Sequence, residues 1–286
     1  MNEFDLKSLQ NTQMRIMDDI HRVCVETGLR YYLIGGSAIG AIRHNGIIPW
    51  DIDIDIAMPR KDYEIFVKEA PGLLKSEFEI HDSRTDKNFG TYHALVVLKD
   101  SVLKFKYEQN SSILNRFGIF VDVLPLDQWP DDEKKKQWLI RKHNWLKLIR
   151  TIWHGRLNYN VNPITRLLKK FLHYIIHSIF TLYQLNKIEQ DIITCCNTED
   201  EGKIWCSKLS HYKVDKLTMP KEYFGKPVLH AFSGREYYVP EQVENYLTHL
   251  FGDYMKLPPE EKRYEQIDSV EYASWKAEDG KLYEIQ

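Results

Sequence analysis

From Tyr31 to Ile56 this 286-residue chain reads YYLIGGSAIGAIRHNGIIPWDIDIDI, a segment that predicts the centre of its fold. It begins with an apolar run that predicts a short buried strand, turns at Gly35 and Gly36, and ends in acids that alternate with isoleucines. The alternating residues are Asp51, Ile52, Asp53, Ile54, Asp55 and Ile56. Because successive side chains of a strand point to opposite faces, we expect the isoleucines in the core and the carboxylates together on the other face.

Three carboxylates on one face repel one another unless a cation lies between them. Oxygen ligands of this kind suit Mg²⁺, with Mn²⁺ as an alternative. We therefore expect Asp53 and Asp55 to bind a metal ion and Asp51 to support them. The same acids fit positions 1, 3 and 5 of a calcium-binding EF-hand loop, but Ile56 stands where that loop needs glycine. A purely structural acidic strand is the other alternative, and grouping unneutralised acids is costly.

The glycine turn is a candidate phosphate site. Gly35 and Gly36 allow backbone conformations in which amide groups approach a phosphate closely. We expect Ser37 to donate its hydroxyl to the same phosphate at the beginning of a short helix that ends near Arg43. Arg43 and His44 are candidates to neutralise phosphate charge or to support Asp51, although a plain surface role fits His44 equally well.

A further acid interrupts the apolar run IFVDVLPLD, which predicts a buried strand. A lone buried acid needs a partner or a metal. We therefore expect Asp122 to lie beside Asp53 and Asp55, either as a third metal ligand or as the base that accepts the proton of an attacking hydroxyl. For Asp127 we expect a structural role, capping the turn after Pro125.

Composition and the order of elements predict an α+β fold. Hydrophobic residues make up 43% of the chain and charged residues 28%, which is typical of a globular protein. Strands and helices mix over residues 1–130, the expected catalytic core, whereas residues 131–286 are predicted to be mainly helical. The chain start lacks a basic segment followed by an apolar one, so we expect a cytoplasmic protein with four reduced cysteines.

The beginning of the second region is strongly basic. Eleven Lys or Arg residues and no acid lie between Lys134 and Lys170. A solvated helix surface is the conservative interpretation, and an anionic partner such as membrane phospholipid is the alternative. The uncharged segment Phe171 to Leu185 has 15 residues, fewer than the roughly 20 that span a bilayer. We expect a buried core helix there; the alternative is a helix in the membrane interface, with Arg166, Lys169 and Lys170 at lipid phosphate.

Three blocks of the sequence resemble the LicD family, the phosphorylcholine-transferase-like branch of the nucleotidyltransferase superfamily, to which the fukutin-type transferases are related. The first block is GGSAIGAIRHNGIIPWDIDIDIAMPRKDYEIF, the second is GIFVDVLPLD, and the third is YLTHLFGDYMKLPPEEKR. The likeness is thin from Trp129 to about Glu222. Many members carry Asp where this chain has Ile52, a departure that leaves the three candidate acids untouched.

The resemblance implies a nucleotidyltransferase-type mixed β-sheet core with surrounding helices. It also implies that Asp53 and Asp55 hold Mg²⁺ and that Asp122 is the third carboxylate or base. The implied donor is CDP-choline or another CDP-alcohol, and the phospho-alcohol passes to a hydroxyl of a cell-surface glycan or teichoic-acid precursor while CMP leaves. Lipopolysaccharide or capsule modification falls in this class, and a lipid-linked acceptor would favour peripheral contact with the inner face of the membrane.

Other functions use similar residues. A nucleotidyltransferase would move a nucleoside monophosphate to a small acceptor and release pyrophosphate. A metal-dependent glycosyltransferase also uses Asp-x-Asp, although usually on a loop, so the alternation with isoleucine disfavours it. A nucleic-acid adaptor is disfavoured because the basic stretch carries no recognised nucleic-acid-binding signature.

Overall fold

The computed structural model describes residues 3–87, 89, 93–106, 118–154, 163–197, 202–207 and 214–285. Within them the architecture is α+β, as the sequence predicts. The helices are α1 (Glu3–Thr27), α2 (Gly35–Ile39), α3 (Arg60–Leu73), α4 (Glu133–Trp153), α5 (Pro163–Ile179), α6 (Leu182–Thr194), α7 (Val214–Leu217), α8 (Val243–Phe251), α9 (Glu260–Arg263) and α10 (Glu265–Ser269). The strands are β1 (Tyr32–Leu33), β2 (Asp55–Pro59), β3 (Phe78–His81), β4 (Ala94–Leu98), β5 (Val102–Phe105), β6 (Phe120–Trp129), β7 (Ile204–Ser207), β8 (Thr218–Pro220), β9 (Val228–Phe232), β10 (Arg235–Val239), β11 (Val270–Lys276) and β12 (Leu282–Ile285).

The main sheet of the described part contains seven strands. Five follow the order β1-β2-β6-β4-β3, while β7 pairs with β6 and β8 with β7. Strands β2 and β6 are parallel, and the other neighbours are antiparallel. Since β6 pairs with β4 along its first half and with β7 along its second, residues from both sides of the predicted boundary at residue 130 build one sheet.

Two smaller sheets flank the main one. Strands β9 and β10 form a hairpin, and its turn residues Ser233 and Gly234 have φ angles of 51° and 80°. Positive φ at both positions is the geometry that a two-residue hairpin loop requires. The other small sheet has the order β12-β11-β5, so the C-terminal strands pair with the first half of the chain.

Alternation along the central strands divides the molecule into two cores. Ile54 and Ile56 are fully buried in one core together with α1, α3 and the side chain of Val123. Ala57 and Leu124 face the other core, which is covered by α2, α4, α6 and α8. Burial of each isoleucine contributes about 1.5–3 kcal/mol, so the alternating pattern fixes the register of β2.

Local boundaries differ from the sequence prediction around the key motif. Strand β2 begins at Asp55 rather than at Ile52, and the residues from Asp51 to Ile54 precede it. The predicted helix from Ser37 to Arg43 is instead α2 followed by a π-helical turn over Gly40–His44. The alternation of buried isoleucines and acids nevertheless continues through the unpaired residues.

Asp127 does not cap a turn, so that expectation is wrong. Strand β6 continues to Trp129, which leaves Asp127 inside the strand. Its carboxylate accepts two hydrogen bonds from Arg60, at 2.7 and 2.6 Å, and one from Asn197 at 2.6 Å. Pro125 does not end the strand because the chain remains paired with β2 at this position.

The segment predicted as one buried helix is two helices. Helix α5 ends at Ile179 and helix α6 begins at Leu182, where Thr181 is the N-cap and forms a capping box with Gln184. Helix α6 buries Leu185, as expected, but α5 exposes most of its large apolar side chains, so the expectation of burial is wrong for α5. Within the described ranges, no helix combines the length and the apolar character needed to cross a membrane.

Candidate active site

A cavity of about 400 Å³ opens where the glycine turn meets the acidic segment. Its lining brings together five of the residues that the sequence singles out: Gly35, Gly36, Asp51, Asp53 and Asp55. This volume is in the range of small-molecule sites. The cluster predicted from residue spacing therefore forms one face of a ligand-sized cleft.

The two glycines give the acids room to approach α2. A β-carbon added to Gly36 would lie 2.8 Å from Oδ2 of Asp51, closer than real side-chain contacts allow. A β-carbon on Gly35 would lie 3.4 Å from Oδ2 of Asp55, and Gly35 also has a positive φ of 56°. Any other residue at either position would be strained or would displace a carboxylate.

Asp51 is the most deeply buried of the three acids. Its pKa is raised to about 6, chiefly by burial and to a smaller extent by the negative charge of Asp55, while hydrogen bonds with the Asp53 side chain and the amides of Ile52 and Asp53 act in the opposite direction. Burial therefore disfavours the charged form of Asp51, and the neighbouring carboxylate adds to that cost. A cation in the cleft would relieve that charge.

Ser37 has a different contact from the predicted one. It is buried, and its hydroxyl oxygen accepts a hydrogen bond of 2.9 Å from the backbone amide of Asp55. The hydroxyl thus fixes the backbone of the acid that begins β2. Direct donation from Ser37 to a phosphate stays a prediction.

Asp122 is the register partner of Asp55 in the parallel pair β2–β6, but it is not among the residues that line the cleft. Its Oδ1 is 2.6 Å from Nε2 of His93, a buried residue directly before β4. The hydrogen bond orients the carboxylate from the side opposite to Asp55, since β4 and β2 flank β6. Sequence reasoning missed His93, because a single histidine before a strand gives no sign of which acid it will meet.

Arg43 and His44 lie against the C-terminal segment. Arg43 donates 2.6 Å and 3.4 Å hydrogen bonds to the carbonyl oxygens of Tyr254 and Lys256, and its Nε lies 3.0 Å from Nε2 of His44. Burial lowers the pKa of His44, and the neighbouring Arg43 lowers it further. A role of either residue on a donor phosphate stays a prediction, which these contacts do not favour.

The C-terminal half completes the wall of the cleft. Tyr246 of α8 accepts a 2.9 Å hydrogen bond from the amide of Gly35, and Ser207 and Gln266 add polar groups. Trp50 also lines the cleft, and the guanidinium of Arg263 lies 5.1 Å from the centre of its ring. Tyr246 and Arg263 belong to the third sequence block, which gave a signal for them, whereas nothing in the sequence pointed to Ser207 or Gln266.

The residues present fit a magnesium ion of the kind that is shared with a substrate. Among the side chains that the structure describes, no three His, Cys, Asp or Glu residues are grouped to hold a metal without other ligands. Mg²⁺ is commonly held by one or two carboxylates together with substrate phosphates and water, so a site on Asp53 and Asp55 that is completed by a substrate stays a prediction. A place for Asp122 in the metal shell stays a prediction.

Comparison with known proteins identifies the family to which the segment with the glycine turn and the acids belongs. A family model described as the LicD/FKTN/FKRP nucleotidyltransferase domain matches residues 28–154, which include the glycine turn and the four acids. The lipopolysaccharide cholinephosphotransferase LicD of Haemophilus influenzae is 30% identical over 266 residues, covering 91% of this chain and 95% of that protein.

Two further relatives share shorter segments. The ribitol 5-phosphate transferase FKRP of Mus musculus is 40% identical over 57 residues, which are 20% of this chain and 11% of that protein. An uncharacterised protein of Rickettsia typhi is 30% identical over 70 residues, or 24% of this chain and 23% of its own length. Since the Haemophilus protein matches almost from end to end, this chain belongs to the LicD family of phosphotransferases.

Proposed function

We propose that this protein transfers phosphocholine from CDP-choline to a hydroxyl group of a cell-surface glycan, with Mg²⁺ as cofactor. The observation that carries the proposal is the convergence of Asp51, Asp53 and Asp55 on a cleft bordered by two glycines. The reaction class rests on the Haemophilus relative, a cholinephosphotransferase that acts on lipopolysaccharide. Peripheral contact with the inner face of the membrane would bring the protein to lipid-linked glycans, but the transfer reaction itself does not require that contact.

The donor in this proposal is a cytidine diphosphate compound whose diphosphate lies at the acids. Asp53 and Asp55 would hold Mg²⁺, which neutralises the diphosphate when bound and so eases departure of CMP. Trp50 would supply aromatic surface to the cytosine ring, and the guanidinium of Arg263, 5.1 Å from the centre of the Trp50 ring, would help to hold that ring in place. The cavity of about 400 Å³ suits a donor whose distal group remains open to solvent.

The acceptor hydroxyl attacks the phosphorus atom that carries choline, and the bond to the CMP oxygen breaks. In the proposal Asp122 accepts the proton of the hydroxyl, and His93 orients the carboxylate at 2.6 Å. The register of Asp122 with Asp55 supports this role, since register partners of a parallel pair lie about 4.8 Å apart.

CDP-ribitol and CDP-glycerol are the alternative donors, and a teichoic-acid precursor is the alternative acceptor. The ribitol 5-phosphate transferase among the shorter relatives favours testing ribitol. A nucleotidyltransferase activity with release of pyrophosphate is a second candidate, because the same metal site can direct attack at either phosphorus.

Incubation of the purified protein with CDP-choline, CDP-ribitol or CDP-glycerol and Mg²⁺, with detection of CMP, tests the proposal. Binding is measured separately by calorimetry, with CTP and GDP-linked sugars as comparison ligands. We expect a cytidine diphosphate compound to bind and EDTA to weaken it. Failure to bind any cytidine diphosphate compound would contradict the donor assignment, and pyrophosphate release from CTP would favour the second candidate.

A further inference from the structure

Helix α5 packs with its polar side toward the protein. Nδ1 of His173 lies 2.8 Å from the carbonyl oxygen of Ile152 in α4. The ring of His177 stacks on Trp153 with 4.8 Å between ring centres. Ile176 adds an apolar contact to the neighbouring core. Two of the side chains of α5 that contact α4 are therefore imidazoles, of which His173 is half-buried and His177 remains exposed beside Trp153.

The outward side of α5 is apolar. Seven large hydrophobic side chains of this helix are between 39% and 80% exposed: Ile164, Leu167, Leu168, Phe171, Leu172, Tyr174 and Ile179. Their spacing of three and four residues places them along one side of the helix. An apolar patch of this extent on a monomer marks an interaction site or a membrane contact.

Helix α4, which packs against α5, adds aromatic and basic residues to the exposed surface. Trp138, Trp145 and Leu148 are about half exposed and follow one another at intervals of seven and three residues, so they share one stripe of the helix. Nζ of Lys142 lies 5.7 Å from the centre of the Trp138 ring. Exposed aromatic rings beside Lys and Arg are typical of the boundary between lipid and water.

The charge of this surface distinguishes among the three kinds of partner that it could bind: a second copy of the chain, a nucleic acid or a lipid membrane. No Asp or Glu occurs between Lys134 and Ile188, whereas eleven Lys or Arg residues lie between Lys134 and Lys170, of which Arg150 is mostly buried and paired with Glu189. A second copy of the chain would therefore bring like charges together. A nucleic acid would match the charge but would leave the aliphatic side chains of α5 in water. An anionic lipid surface satisfies both features, because it combines negative headgroups with an apolar interior.

We infer that the exposed sides of α4 and α5 lie on an anionic phospholipid membrane, with the apolar side chains of α5 inserted at the headgroup level. The purpose of this contact, access to a lipid-linked acceptor, rests on the proposed function. The binding itself does not, because it requires neither donor nor turnover. The inference and the proposed function can therefore fail separately.

Flotation with vesicles tests the inference. Wild-type protein is incubated with phosphatidylcholine vesicles and with vesicles that also contain phosphatidylglycerol. We expect at least tenfold stronger partitioning to the anionic vesicles, and weaker partitioning as salt rises, since screening reduces attraction of the basic residues.

The variant Leu167→Gln/Phe171→Gln removes two of the apolar contacts. We expect its partitioning to fall at least tenfold, because both side chains lose their transfer into the lipid interface. Ile65→Gln is the matched control: Ile65 on α3 is similarly exposed at 47% and lies outside this surface, so the variant should bind vesicles like the wild type. Thermal unfolding of all variants should match the wild type, since the altered side chains face solvent.

Three outcomes would overturn the inference. The wild type would fail to bind anionic vesicles, or the double variant would bind as well as the wild type. The third is self-association of the wild type in light scattering that disappears in the double variant, which would assign this surface to a second copy. Calorimetric binding of a cytidine diphosphate donor by the double variant reports on the cleft separately.

Discussion

Acidic residues lie near both ends of the paired region of strands β2 and β6, and their surroundings differ between the two ends. At the far end, the carboxylate of Asp127 is buried, forms an ion pair with Arg60 and accepts a hydrogen bond from Asn197. At the near end, Asp55 and Asp122 lie side by side, and Asp51 has a raised pKa because of burial and the charge of Asp55. The far end is a completed ion pair, whereas the near end concentrates negative charge at a cleft.

The contrast separates structural acids from functional ones. A buried carboxylate with an arginine across it contributes to the fold, and its removal leaves an unpaired charge. A carboxylate whose pKa is raised by burial and by a neighbouring charge, as that of Asp51 is, costs stability when it ionises, which a protein tolerates where a ligand cation lowers the cost. Each of the following substitutions tests one side of this difference.

The largest effect is expected at the near end. Asp53→Asn or Asp55→Asn should lower transferase turnover by about a thousandfold or more, the scale seen when a group that stabilises transition-state charge is removed. Thermal unfolding should remain at or above the wild-type temperature, because like-charge repulsion decreases. Asp131→Asn, at an exposed acid before α4, is the matched control. An unfolded Asp53→Asn protein would show that the acid serves the fold.

The far end should respond in the opposite way. Asp127→Ala should destabilise the protein by about 3–5 kcal/mol in urea unfolding, because the Arg60 guanidinium would remain buried without its carboxylate. Replacement of the pair by Arg60→Met/Asp127→Leu should recover much of that loss. At low temperature the folded fraction of Asp127→Ala should retain turnover. A stable but inactive Asp127→Ala protein would contradict the division between the two ends.

His93 provides an intermediate test. His93→Gln should lower turnover about 10–100-fold, the range found when a residue that orients a functional ligand is changed. Asp122→Asn should lower it more. In the double variant His93→Gln/Asp122→Asn, the His93 change should add little to the loss of turnover, because Asp122→Asn has already altered the hydrogen bond between the two side chains. KM for the donor should change less than kcat. Additive losses in the double variant would show that His93 acts independently of Asp122.

The smallest expected effect is on the stability of the metal-free protein when Asp51 in the cleft is replaced. Asp51→Asn should raise the free energy of unfolding by about 1–2 kcal/mol in EDTA at pH 8. The pKa of the Asp51 carboxyl is raised to about 6 in the folded protein, so its ionisation at higher pH lowers the stability of the folded state. The gain should shrink below about pH 6, where the wild-type carboxyl is protonated too. Mg²⁺ should reduce it at pH 8. A destabilised Asp51→Asn protein at pH 8 would show that the charge itself supports the fold.

Local pattern was sufficient for much of the fold. Alternation placed Ile54 and Ile56 in the core, and the apolar runs before the glycine turn and around Asp122 predicted strands β1 and β6. These features depend on interactions between residues near one another in the chain, which a sequence displays directly. The same pattern could not separate a buried apolar helix from an exposed one, so it misjudged α5.

The acidic alternation, the glycine turn and the family of this chain can all be read from its amino acids. The packing of distant segments, in contrast, brings His93 to Asp122, Arg60 to Asp127, and Ser207, Tyr246 and Gln266 to the wall of the cleft. The difference is one of range along the chain. Strand and helix periodicity acts between neighbouring residues, whereas the partner of a buried acid depends on which distant segments pack together, and that follows from the energetics of the whole fold.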